Sequence, residues 1–135
     1  MNLNTKDYLS QALRVDCMIN AKLEQIQQLR ELSTKATSTL SDMPKGGNQN
    51  TNKTQDIVLK IIGLENEISK DMITLIDLKG EIINAIKNVK DPEHRVLLEL
   101  RYLCFKSWGD VAAEMRYDIT TTFNMHRHAL NSVKI

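Results

Sequence analysis

Apolar residues recur along this chain at steps of three and four, so the pattern predicts helices throughout. From Asn4 or Thr5 to about Leu40 there is no Gly or Pro, and Leu9, Leu13, Ile19, Leu23, Ile26, Leu29, Leu32 and Ala36 keep helical spacing. At 1.5 Å per residue such a helix extends roughly 50 Å. Pro44, Gly46, Gly47 and the polar run Asn48 to Asn52 then mark residues 41–53 as a loop, because they break helical patterning and offer nothing to bury. A second long helix is predicted from about Thr54 to Val89. Its seam is Ile61, Leu64, Ile68, Leu75, Leu78, Ile82, Ala85 and Val89, interrupted by Asp71. A polar seam residue can set register, but the expectation at Asp71 is a carboxylate turned outward to water.

A second stripe on that helix, Val58, Ile62, Met72, Ile73, Ile76, Ile83 and Ile86, widens its apolar surface beyond what one partner helix covers. The first helix is therefore expected to fold back antiparallel on the second, in a coiled-coil-like hairpin spanning residues 1–90. Ile61, Leu64, Ile68, Leu75, Leu78 and Ile82 are the candidate oligomerisation residues, with a homodimer as the expected assembly.

From Asp91 the elements shorten. Asp91-Pro92-Glu93 is a helix start: Asp91 as N-cap, proline where no amide is needed, and an acid at the positive helix end. The helix from Pro92 to about Cys104 would bury Val96, Leu97, Leu100, Leu103 and Cys104. Ser107 and Asp110 fit a capping box opening a helix of about two turns, with Val111, Ala112 and Met115 inward. Arg116-Tyr117-Asp118 reads as a turn in which Asp118 caps a last helix, Ile119 to about Val133, with Thr122, Met125, Ala129, Leu130 and Val133 inward. A short helix, a turn of about three residues and a longer helix form a helix-turn-helix. The expected architecture is thus all-α, a long helical hairpin followed by a three-helix domain at 91–135.

The run Val96-Leu-Leu-Glu-Leu-Arg-Tyr102, then Ser107-Trp-Gly-Asp-Val-Ala-Ala-Glu-Met115, then Asp118 through Ala129-Leu130 resembles region four of bacterial sigma factors. It is more closely similar to small phage-encoded regulators of the ArpU and RinA kind, over the last third of the chain only. The resemblance implies a sigma-like regulator of transcription, an activator of late genes, working on double-stranded DNA and touching host RNA polymerase in the bacterial cytoplasm. The chain departs from the pattern in three places: Arg116 stands where relatives carry Gly or Asn, Thr122 where they carry Val or Ile, and the last helix has Ile119, Thr120, Thr121 and Asn124 where they tend to place Arg or Glu.

Composition narrows the options. Eighteen Lys and Arg against 17 Asp and Glu leave a net charge of +1, so no long-range field draws nucleic acid in. DNA contact must come from local placement. If Met125, Ala129 and Leu130 face inward, then Ile119, Thr120, Thr121, Asn124, Arg127 and His128 are the candidate DNA-binding residues. Threonine hydroxyls reach phosphates, Asn pairs with adenine, and Arg reaches phosphate or guanine. His126 is grouped with Arg116, Arg127, His128 and Lys134 as local positive charge.

No catalytic constellation, cofactor motif or metal-spaced Cys pair is present, so no enzyme and no cofactor is expected. His126 and His128 point about 200° apart on a helix and cannot share a metal. Trp108 could stack on a base but is expected to close the core of the small domain. Residues 1–7 lack an apolar leader core and no run approaches about 20 apolar residues, so a cytosolic protein with reduced Cys17 and Cys104 and no membrane partner is expected. Two alternatives remain open at this level: a DNA-packaging adaptor resembling a small terminase subunit, and a sigma-like module that engages protein only.

Overall fold

The computed structural model describes residues 4–42 and 47–134, with side chains omitted for 37–42 and 47–51. Among these residues the chain is all-helical: α1 (Thr5–Asp42), α2 (Gly47–Lys87), α3 (Pro92–Tyr102), α4 (Trp108–Met115) and α5 (Ile119–Ser132). No described helix is long and apolar enough to cross a membrane. Of the expected loop at 41–53, residues 41–42 and 47–53 are helical, because α1 runs to Asp42 and α2 begins at Gly47. A helix satisfies its own backbone hydrogen bonds, so a polar stretch can prolong one without a core to pack on. The rest of that expected loop, 43–46, lies outside the described residues.

The chain divides into two compact units, Cys17–Ile73 and Met1–Asp16 with Thr74–Ile135. The first unit is a helical hairpin of α1 and α2 segments. Lys22 meets Asp71 and Arg30 meets Glu65, so residue numbers rise on one helix as they fall on the other, which is antiparallel pairing. Ile19, Ile26 and Ile68 are its buried aliphatics. Asp71 does not turn outward as expected. Its Oδ2 lies 2.6 Å from Lys22 Nζ, with both side chains less than one-fifth exposed. A carboxylate on an apolar seam is tolerable once a cation from the facing helix reaches it, and removing either partner would leave a half-buried charge.

The second unit does not begin at residue 91. Its core joins Leu9 and Ala12 of α1 and Ile82, Ile86 and Val89 at the end of α2 to Leu97, Leu98, Tyr102, Val111, Ala129 and Val133. Short helices of 11, 8 and 14 residues bury too little among themselves, and the ends of the long helices complete their apolar surface. In α3 the inward set is rotated from the expected one: Leu98 and Tyr102 are buried while Val96 and Cys104 are exposed.

The three predicted caps are present. Asp91 accepts from the amides of Glu93 and His94, Ser107 from Asp110 and Asp118 from Thr121. The α3–α4 connection holds a feature that sequence reading missed, Phe105 at φ 59°. A left-handed backbone is uncommon for a bulky residue. The surrounding turn is closed by Lys106 N–H donating to Leu100 O and Arg101 Nη1 to Lys106 O, and Lys79 Nζ lies 4.6 Å from the Phe105 ring centroid.

Arg116 also sits in the left-handed region, at φ 63° and ψ 38°. Its amide donates to Ala113 O and that of Tyr117 to Ala112 O, the paired bonds that end a helix where glycine is usual. A side chain there costs about 1 kcal/mol relative to glycine. Arg116→Gly is therefore expected to raise the melting temperature by a few degrees, partly offset by the greater freedom of glycine in the unfolded chain. A lowered melting temperature would mean instead that the Arg116 side chain makes a contact the turn requires.

Candidate nucleic-acid interface

Helix α5 is held by α3 and α4 through a narrow stripe. Thr122 is 1% exposed and its hydroxyl donates back to Asp118 O at 2.8 Å, which satisfies a polar group among aliphatic neighbours. Ala129 and Val133 are buried, and Met125 and Leu130 pack on the same core. The small Ala112 is buried on α4, where the helices approach.

The fourth inward residue is His126, and it corrects the grouping of this side chain with the exposed cations. His126 is 9% exposed and its Nε2 lies 2.6 Å from the hydroxyl of buried Tyr102. Trp108 packs edge-on at 4.5 Å between ring centroids. Burial, helped by the positive charges of Lys6 and Arg101, holds the imidazole down at a pKa of about 4, so it is neutral at pH 7. Burial likewise pushes the Tyr102 phenol up to about 12, so it keeps its proton and can donate it to an unprotonated Nε2. A histidine in an apolar setting looks in sequence like surface charge because its partner stands 24 residues away.

Trp108 is half-buried and takes the core role expected of it, with the Arg101 guanidinium 4.8 Å from its ring. Its other neighbour is Phe123, in an edge contact at 5.3 Å and 71°. Phe123 belongs to the outward side, 44% exposed, and was absent from the candidates. Its spacing of four from both Ile119 and Arg127 was the available signal.

With that stripe inward, Ile119, Thr120, Thr121, Asn124, Arg127 and His128 are all exposed and share the outward side of α5. Among the described residues α5 is the one helix without Asp or Glu, although the chain carries 17 of them. The nearest carboxylate in sequence, Asp118, is occupied as the cap, and its hydrogen bonds from Thr121 hold it below the usual carboxylate range. The arrangement presents hydroxyls, a carboxamide, an imidazole and a guanidinium along about three turns, with no negative charge on the helix itself.

The proposed oligomerisation residues are placed differently. Ile68 and Ile82 are buried and Ile61, Leu64, Leu75 and Leu78 half-buried within the single chain. The aliphatics left exposed on α2 are those of the second stripe, including Ile62, Ile73, Ile76 and Ile83, whereas Ile86 is in the core. No group of three or more His, Cys, Asp or Glu side chains among the described residues could hold a metal.

These features define an all-helical protein whose last two helices form a helix-turn-helix, the second of them without acidic residues. The chain belongs to the family described as "Protein of unknown function (DUF1492)", which matches residues 31–134. No curated protein and no solved structure matches it.

The buried His126 makes stability depend on pH. The unfolded imidazole takes a proton near its ordinary 6.5 and the folded one only near 4, so this contribution is complete above about pH 6.5 and is lost as pH falls towards 4. The full loss is about 3 kcal/mol. Urea unfolding at pH 7 and pH 4.5 should give a steeper loss of stability for wild type than for His126→Gln. Equal losses would mean that the imidazole is protonated as readily folded as unfolded.

Proposed function

We propose that the protein is a DNA-binding regulator of transcription of the phage sigma-like kind, acting as a dimer and reading the major groove with α5. The observation that carries this reading is the outward side of α5, where six exposed candidates stand together on the helix that lacks Asp and Glu. Phosphates repel carboxylates, and an acid-free helix is the kind of surface that approaches a duplex without that cost. The likeness of Val96 to Leu130 to region four of sigma factors supports the same assignment.

Geometry divides the roles. Asn124 lies mid-face and can pair bidentately with the N6 and N7 of adenine, while Arg127, one turn on, can reach a phosphate. Asn124→Ala is expected to cost about 1–3 kcal/mol at one base position and relax preference there. Arg127→Ala should weaken all sequences alike and flatten the dependence on salt. Binding titrations on duplexes selected from a random library, at several salt concentrations, test both. Selected duplexes that bind no better than random ones would sink the reading.

A net charge of +1 leaves each copy few cations for phosphates, so useful affinity depends on linking two copies. We assign that pairing to the exposed second stripe of α2, since the first seam is already occupied within the chain. Ile73, 64% exposed, is the residue to change. Ile73→Asp should leave helix content intact, turn a dimer into a monomer by light scattering, and weaken DNA binding. A wild-type protein that stays monomeric at high concentration would rule out the dimer.

A further inference from the structure

Ile119, Phe123 and Arg127 are spaced by four and form one column on α5, beside Thr120 and Asn124. Two members of that column are large and apolar, yet Ile119 is 42% and Phe123 44% exposed. The Phe123 ring has a firm support. Its neighbour Trp108 touches it edge-on at 5.3 Å, is itself set against His126 at 4.5 Å, and has the Arg101 guanidinium 4.8 Å from its ring. The ring is thereby held on the flank of the outward face in the first half of α5.

Base edges in the major groove are polar except for one group, the C5 methyl of thymine, against which apolar side chains pack. The same A·T pair offers adenine N6 and N7 to an Asn carboxamide. An apolar column directly beside Asn124 matches both halves of that pair. A protein partner would fit the aliphatic and aromatic surface alone, but not its setting among hydroxyls, a carboxamide and a guanidinium on a helix without acids.

We propose that Ile119 and Phe123 are specificity-determining residues that contact thymine methyl groups in the major groove, next to an adenine read by Asn124. The inference rests on the DNA-binding reading and adds its base preference: the segment facing the first half of α5 is A·T. Phe123 supplies the larger contact and Ile119 extends it by one turn.

The experiment removes the methyl groups and leaves base pairing unchanged. Duplexes recovered by the full-length protein from a random library are resynthesised with deoxyuridine in place of thymidine, and both forms are titrated. Wild type is expected to bind the deoxyuridine form about fourfold more weakly for each methyl contacted, the effect of one buried methylene. Phe123→Ala should bind the thymidine form more weakly than wild type does and should lose most of the difference between the two forms. Ile119→Ala should lose part of the difference. Equal wild-type affinity for both forms, with preference over random duplex retained, overturns the inference and leaves the DNA-binding reading standing. Undiminished deoxyuridine sensitivity in Phe123→Ala overturns the assignment to this column. If wild type prefers no selected duplex over random, both the inference and the reading beneath it fail. The comparison of the two duplexes with wild type needs no variant, so a folding defect in Phe123→Ala cannot obscure it.

Discussion

The rotation of α5 about its own axis is set by the burial of Thr122, His126, Ala129 and Val133, and that rotation decides which side chains form the outer face. The most specific member of that stripe is His126, because its bond of 2.6 Å to Tyr102 is directional where aliphatic packing is not. A turn of α5 by one residue would expose the imidazole and leave the Tyr102 hydroxyl buried without a partner, which costs more than a typical hydrogen bond contributes. The pair thus selects which residues look outward, although neither member reaches the outer face.

The turns around α4 are held at a cost in backbone conformation. Phe105 precedes that helix and Arg116 ends it, both left-handed and neither a glycine. Each position is over-determined by its surroundings: hydrogen bonds from Lys106 and Arg101 close the first turn, and paired bonds to Ala112 and Ala113 close the second. Between them Ser107 and Asp118 cap α4 and α5. Strong local anchors at both ends allow an eight-residue helix to keep a defined place, which its own propensity would not provide.

Helix α2 carries two apolar stripes with different uses. The stripe through Ile61, Leu64 and Ile68 is taken up by the antiparallel segment of α1, with Lys22 and Asp71 as a paired charge in the contact. Such a pair adds little net stability, since desolvation offsets attraction, but a shifted register would strand one charge. The stripe through Ile62 and Ile73 is left uncovered by the single chain.

Much of the architecture could be read directly from the order of residues. Helical periodicity and the caps at Asp91, Ser107 and Asp118 are local effects, decided within a few residues by hydrogen-bond geometry and side-chain spacing. The six exposed candidates on α5 were also legible, because a stripe of inward residues leaves the opposite side by elimination. The helical state of residues 47–53 was not legible, since polar composition does not forbid a helix that satisfies its own backbone. The fate of single polar groups was not legible either. His126 looked like surface charge and Asp71 like an outward carboxylate, and only the fold brought Tyr102 and Lys22 to them across 24 and 49 residues. A period of 3.6 residues identifies a face but not its rotation to within one position, and burial of a polar atom depends on a partner that distant chain segments alone can supply.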